Sequence, residues 1–250
     1  MIREILDALR GCLTTFVVCA IGYPAVVYGL GHTLFPRQAE GSLIEREGGV
    51  VGSTLIAQPF ASDRYYHPRP SAAGASGYSA DAASGSNLGS NNPVLRDRIA
   101  DAAAILIADK TGDADLKLNL ERLGAIQAER KALQEVKEPT SADAIARLDG
   151  EMTAARAQVL ARSAELGKSA AALVPVDLVT ASDAGLNPEI SPEAALYQAN
   201  RVAEARKIPT VRVIASIESH TERSARLIGA PPRVNVLRLN LALDGVETSR

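Results

Sequence analysis

Gly167-Lys168-Ser169 has the ending of a phosphate-binding P-loop. That loop also needs a glycine five residues earlier, where this chain has Arg162, and it must follow a strand and open a helix. Here the triplet closes a helical stretch, so it is not read as a nucleotide site. Asp109-Lys110-Thr111-Gly112-Asp113 resembles an aspartyl-phosphate motif, in which the threonine instead follows the glycine. An acyl phosphate needs a nucleotide domain, a magnesium site and a dephosphorylating element around it, and the chain has room for none of them. Thr111-Gly112 reads as a helix stop. His32, His67 and His220 have no partner at metal-ligand spacing, so no bound metal is expected. Cys12 and Cys19 both lie in or beside one apolar run, which leaves the rest of the chain without a disulfide or a cysteine zinc site. No nucleophile–base constellation stands out, and the expectation is a chain that is not an enzyme.

Two loops remain as binding candidates. Ser84-Gly85-Ser86-Asn87-Leu88-Gly89 has the composition to cradle a phosphate with backbone N–H groups, or to make a tight turn that seats a helix. Tyr66-His67-Pro68-Arg69-Pro70-Ser71 has its backbone fixed by two prolines. Tyr66, His67 and Arg69 then read either as a docking surface for a partner or as an internally packed loop.

These loops need an element to hold them. The chain has 250 residues, a net charge of −2 and 46% apolar residues, with 4% aromatics and no tryptophan. Such a balance gives no electrostatic footprint for nucleic acid and leaves the core to Ala, Leu, Val and Ile. No charged side chain occurs from Gly11 to Pro36. As a helix that gap is roughly 39 Å long, against a hydrocarbon core of about 30 Å. The pattern predicts an N-terminal tail over 1–10 and one transmembrane helix over 11–36. A signal peptide has a shorter apolar stretch and a small-residue cleavage site, and Phe35-Pro36-Arg37 is not one. Gly22, Ala25 and Gly29 fall near one face, which suits close packing against a partner helix or ordinary exposure to lipid. Arg3 and Arg10 before the span and Arg37 and Arg46 after it leave the positive-inside count nearly tied, leaning to a cytoplasmic N-terminus.

After the span, 42–44 and 50–56 are β-prone runs joined by Gly48-Gly49, which predicts a hairpin. Residues 63–89 read as loop. Asn92-Pro93 caps a helix that carries Leu95, Ile99, Ala102 and Leu106 at helical spacing. Leu116, Leu120, Leu123, Ile126 and Leu133 make one apolar stripe. After a break at Glu138-Pro139 and a capping box of Thr140 with Asp143, Ile145, Leu148, Met152, Ala155 and Val159 make a second. Together they predict a self-contained antiparallel helical hairpin over 113–169. Val174, Val176 and Leu178 alternate as a strand. Ser191-Pro192-Glu193 opens a helix, another covers 211–219, and 234–243 reads as a helix capped by Asn235. The expected fold class is α/β (α+β): a soluble domain of 37–112 and 170–250, anchored by one N-terminal transmembrane helix and interrupted by the hairpin.

Further stretches carry a resemblance. They are Tyr23-Pro24, Leu34-Phe35-Pro36, Gly41-Ser42-Leu43-Ile44 and 51–58, then Arg64-Tyr65-Tyr66-His67-Pro68-Arg69-Pro70-Ser71 and 84–89. Beyond the hairpin come 175–182, Gly185-Leu186-Asn187-Pro188, Tyr197-Gln198, Arg201-Val202-Ala203, His220-Thr221, 232–237 and 240–244. In this order, over nearly the whole chain outside the hairpin, the sequence resembles the C subunit family of the bacterial Kdp potassium-transporting P-type ATPase. That family usually joins the helix after Asn92-Pro93 to Pro175 by a short link, so 113–169 reads as an insertion. A hairpin with adjacent ends can be added to a surface loop at modest entropic cost.

The resemblance implies an accessory subunit of an ATP-driven potassium uptake complex in the cell inner membrane. Its implied partners are the ATP-hydrolysing Kdp B subunit, the potassium-binding, channel-like Kdp A subunit and the small Kdp F subunit. It implies a catalytic chaperone that raises the ATP affinity of the hydrolysing subunit, with its soluble domain outside, in the periplasm. ATP is on the other side, so the effect must cross the membrane as a coupling between sites. A cytoplasmic domain would instead let Ser84, Gly85, Ser86, Asn87 and Gly89 meet ATP directly. With the domain outside, the loops at Tyr66–Ser71 and Ser84–Gly89 are expected near the potassium entrance of the channel-like subunit. The other reading is an extracytoplasmic scaffold or sensor that recruits partners through its helical hairpin.

Overall fold

The computed structural model describes residues 2–46, 48–75, 77–136, 141–170, 174–223 and 229–245. They fall into two units, Met1–Ile56 and Ala57–Arg250.

In the first unit a continuous helix runs from Ile2 to Leu34, long and apolar enough to cross a membrane. It comprises α1 (Ile2–Phe16), a π-helical stretch (Val17–Gly22) and α2 (Tyr23–Leu34). Residues 2–10, expected as part of a tail, are therefore helical. Ile2, Ile5, Leu6, Leu9 and Leu13 carry one apolar stripe into the span, and Arg10 pairs with Asp7 at 3.2 Å. At roughly 50 Å the helix exceeds the hydrocarbon core of about 30 Å. The π turn sits just before Pro24, which has no N–H to give the ladder and whose ring crowds the preceding turn. Tyr23 N–H reaches back five residues to Val18 O instead. The helix ends at Leu34, and α3 (Pro36–Ala39) follows. β1 (Leu43–Arg46) and β2 (Gly49–Ser53) form the expected antiparallel hairpin, with Leu43 opposite Ser53.

The second unit has two cores. One is a bundle of α4 (Pro93–Thr111), α5 (Ala114–Val136) and α6 (Ser141–Ala170). Leu116, Leu123, Ile126, Leu148, Ala155 and Val159 are buried there, as their stripes predict, and they meet Ala104, Ile107 and Ala108 of α4. The helical pair is thus not self-contained, because α4 is its third helix. Small side chains at 104 and 108 let α4 come close, and a search for large apolar residues passes over them. Arg156 of α6 ties the contact, 3.1 Å from Asp97 and 2.7 Å from Asp101 of α4. α4 stops where Thr111-Gly112 predicts, with Gly112 at φ +69°. Asp113 then caps α5, accepting from Leu116 N at 2.8 Å, and pairs with Arg162 at 2.6 Å. That hydrogen-bonded guanidinium holds the Asp113 carboxyl below the usual carboxylate range. The expected break at Glu138-Pro139 and the Thr140 cap lie outside the described residues.

The other core packs α7 (Pro192–Arg206), α8 (Thr210–Ser219) and α9 (Val236–Leu243) with a three-stranded antiparallel sheet. Its strands are β3 (Glu189–Ile190), β4 (Thr221–Glu222) and β5 (Arg233–Asn235), in the order β3-β5-β4. Ala195, Ala199, Val202, Val213, Ile217, Val234 and Leu239 fill the interior around Tyr66. Ser191 and Asn235 cap α7 and α9 as read from the sequence, accepting from Ala194 N and Arg238 N.

The strand expected at 174–178 is absent. Val176–Leu178 is a short 3-10 turn. Pro175 fixes the entry, the Asp177 carboxylate accepts from Ser191 N at 2.7 Å, and Val176 is 69% exposed, so the alternation there has no pleat behind it. Among the described residues the architecture is mixed helical with two small antiparallel sheets, which is the α+β form of the expected class.

Candidate functional site

The chain from Asp63 to His67 belongs to no sheet, yet side chains take up its backbone groups one after another. Arg201 donates to Asp63 O at 2.8 Å and to Tyr65 O at 3.0 Å. Arg206 Nε donates to Arg64 O at 2.7 Å. Asn240 accepts from Tyr66 N (2.7 Å) and donates to Tyr66 O (3.0 Å). Gln198 accepts from His67 N (2.8 Å) and donates to His67 O (3.1 Å). Two amide side chains thereby stand in for a strand partner at consecutive residues. Arg206, with only 5% of its side chain exposed, also pairs with Asp244 at 2.8 Å. Asp244 in turn accepts from the Tyr65 hydroxyl at 3.2 Å.

Next along the chain, Arg69 reaches across to Thr180 and Ala181. Its Nε donates to Thr180 O, and its Nη2 to Thr180 Oγ1 (3.1 Å) and Ala181 O (3.3 Å). The Tyr78 hydroxyl donates to Arg69 O at 2.8 Å, and Ser71 Oγ accepts from Ala73 N and Tyr78 N. Gly185, at φ +68°, passes so close to this loop that a Cβ there would stand 2.8 Å from Ala73 N. Only glycine fits both that conformation and that approach.

The glycine-rich run approaches the same stretch. A Cβ on Gly85 would lie 2.4 Å from Asp183 O. That side of Gly85 therefore meets a carbonyl oxygen, which repels an anion. Ser84 Oγ donates to Gly85 O, Ser86 Oγ accepts from Arg98 at 3.3 Å, and Asn87 sits at φ +50°. Gly89 O accepts from Asn92 N at 2.9 Å, leading directly into the cap of α4. The structure thus brings the two candidate loops together, each laid against residues 180–187.

Of the residues expected to meet a partner, Tyr66 is fully buried and fills the core, and burial pushes its phenol pKa up. His67 and Arg69 are half-buried. Gly22 and Gly29 are exposed on the N-terminal helix, and a Cβ at Gly29 would meet nothing within 4 Å. Asp109 and Lys110, from the motif resembling a phosphorylation site, end α4 beside α7. Lys110 Nζ lies 4.4 Å from the Tyr197 ring centroid, and the Tyr197 hydroxyl donates to Leu106 O at 2.9 Å. That corner fastens the two cores together. Among the described residues, no group of three or more His, Cys, Asp or Glu could hold a metal ion.

Sequence reasoning missed the clamp itself: Gln198, Arg201, Arg206 and Asn240. A signal for two of them exists. Gln198 sits on the apolar face of α7 beside Ala195, Ala199 and Val202, and Asn240 lies among Leu237, Leu239 and Leu241, so each is a polar residue in a buried position that must find partners. The charged side chains of the assembled site, Arg69, Arg201 and Arg206, are engaged in holding backbone carbonyls.

The profile described as K+-transporting ATPase, c chain (KdpC), matches residues 5–123 and 126–245. The potassium-transporting ATPase KdpC subunit of Methylococcus capsulatus is 39% identical, covering 99% of this chain and 100% of its own length. Its counterpart from Gemmatimonas aurantiaca is 35% identical over 100% of this chain and 96% of its own. That of Rhodopseudomonas palustris BisB5 is 38% identical over 98% of each. Profile and relatives alike extend from the N-terminal helix through the clamped loops to α9, and the chain belongs to the KdpC family, the c chain of K+-transporting ATPases.

Proposed function

We propose that the chain is a non-catalytic accessory subunit of a potassium-uptake ATPase, anchored in the membrane by the Ile2–Leu34 helix. The observation that carries this reading is the clamp. A site that acts on a substrate keeps acid, base or nucleophilic groups free to react. Here Arg69, Arg201 and Arg206 hold backbone carbonyls instead, which gives a preorganised surface for a partner protein. In this reading the exposed parts of the loops at 67–71 and 84–89 face the potassium-binding, channel-like subunit, and the Gly22 and Gly29 face receives a neighbouring membrane helix. The domain lies outside the membrane, and it raises the ATP affinity of the hydrolysing subunit by coupling through the assembly rather than by touching nucleotide.

Two measurements test it. Tagged chain solubilised in mild detergent is expected to bring down two large membrane subunits, and recovery of the chain alone would remove the accessory role. Topology follows from a single cysteine at exposed Gln127, with Cys12 and Cys19 replaced by alanine. An impermeant maleimide is expected to label it in intact cells. Labelling only after the cells are opened would overturn the outside placement and return Ser84, Asn87 and Gly89 to consideration as direct ATP contacts.

A further inference from the structure

His67 stands at the junction of the clamp. Its backbone N–H and the Arg201 guanidinium both donate to Gln198 Oε1, each at 2.8 Å, so the two share one acceptor. The ring lies close by, with Nε2 3.4 Å from Ser62 O. Few charged groups face it. From α7 come the Arg201 cation and neutral Gln198. From its own loop come the Ser62 carbonyl and Asp63, whose carboxylate is 75% exposed and 3.5 Å from Arg201. At α9, Asn240 and Asp244 are engaged elsewhere, with the Tyr66 backbone and with Tyr65 and Arg206. A proton on His67 therefore places a second cation beside Arg201 in a half-buried setting, with only the Ser62 carbonyl and one solvent-screened carboxylate to offset it. Burial first, and Arg201 second, push the His67 pKa below its ordinary 6.5.

We propose that His67 is an acid-sensitive latch. While the ring is neutral, Gln198 and Arg201 hold the 63–69 stretch. When the ring is protonated, from the side of the membrane on which the domain lies, the stretch loosens and Arg69 leaves Thr180 and Ala181. The sign follows from linkage. The closed state disfavours the proton and the open state accepts it at the ordinary value, so opening takes up a proton. Closure is at full strength above about pH 6.5 and weakens as pH falls below it. One proton per opening limits the effect to about tenfold in the opening equilibrium per pH unit.

Amide hydrogen exchange on the full-length chain in detergent micelles reads this directly, at Tyr66 and His67, corrected for intrinsic rates. From about pH 7.5 to about pH 5.5, protection is expected to fall several-fold, toward the tenfold-per-unit limit. His67→Gln is expected to abolish that dependence and His220→Gln to keep it. Unchanged protection across the range, or the same loss in His67→Gln, overturns the latch. If His67→Gln does not fold, ring titration of the unaltered chain decides: a midpoint below 6.5 supports the latch and one at or above it overturns it.

Discussion

Gly85 and Gly89 belong to one glycine-rich run, yet their surroundings ask different things of them. A Cβ on Gly85 would lie 2.4 Å from the carbonyl oxygen of Asp183, a backbone atom that cannot swing aside, whereas one on Gly89 would meet nothing within 4 Å. Gly85→Ala is therefore expected to lower stability by roughly 1–3 kcal/mol through overpacking. Gly89→Ala should stay within about 0.5 kcal/mol of the parent. Urea unfolding of the full chain in detergent checks both. A run that served only as a flexible phosphate cradle would tolerate the two changes alike, so equal small effects would count against the packing of 84–89 on 180–187. The same logic explains what was hidden at this scale. The sequence marks Tyr66-His67-Pro68-Arg69 as a distinctive loop, but its partners Gln198, Arg201, Arg206 and Asn240 lie more than a hundred residues away. Nothing in their local spacing tells which backbone they grip.

The helices of the bundle carry a weakness that does not depend on any partner. Gly124 in α5 and Gly150 in α6 sit in helix interiors with open space where a Cβ would go. Gly124→Ala and Gly150→Ala should each raise stability by roughly 0.5–1 kcal/mol by lowering the entropy of the unfolded chain. Thermal unfolding of the single variants measures it, and a fall in midpoint would mean that these glycines allow a close approach that the free chain does not show. Elements with long, regular patterns were legible from sequence. Both stripes of the bundle supply its core, with Leu116, Leu123, Ile126, Leu148, Ala155 and Val159 buried and Leu120, Leu133 and Met152 partly so, the caps at Asn92, Ser191 and Asn235 accept the expected N–H groups, and the hairpin after the apolar helix forms in antiparallel register. Strands of two or three residues were not, because period two cannot show in so short a run and β3 is defined only by pairing with β5 across more than forty residues. The alternation at 174–178 misled for the opposite reason: pattern was present, but Pro175 and the Asp177–Ser191 bond had already made a turn.

Across the second unit, α4 is the member that both cores share. Ala104, Ile107 and Ala108 bury against α5 and α6, while its Leu106 carbonyl and Lys110 fasten to Tyr197 of α7. Insertion of a helical pair into a surface loop would predict that 113–169 can be cut out with little loss. The packing predicts otherwise. A shortened chain leaves the buried face of α4 in water and strands Asp97 and Asp101 without Arg156. Deletion of 113–169 should therefore lower the yield of folded chain and of intact complex even if the pair touches no other subunit. The control is a surface change that leaves the bundle core alone: Leu118→Gln, at a side chain 65% exposed. If stability is what the pair supplies, the deletion fails and Leu118→Gln assembles and transports potassium like the parent. If the pair docks on a neighbour through that face, Leu118→Gln loses complex while its own unfolding midpoint holds. A deleted chain that unfolds at the parent's midpoint would show that α4 needs neither helix, and the three-helix core would then contribute nothing to the fold it adjoins.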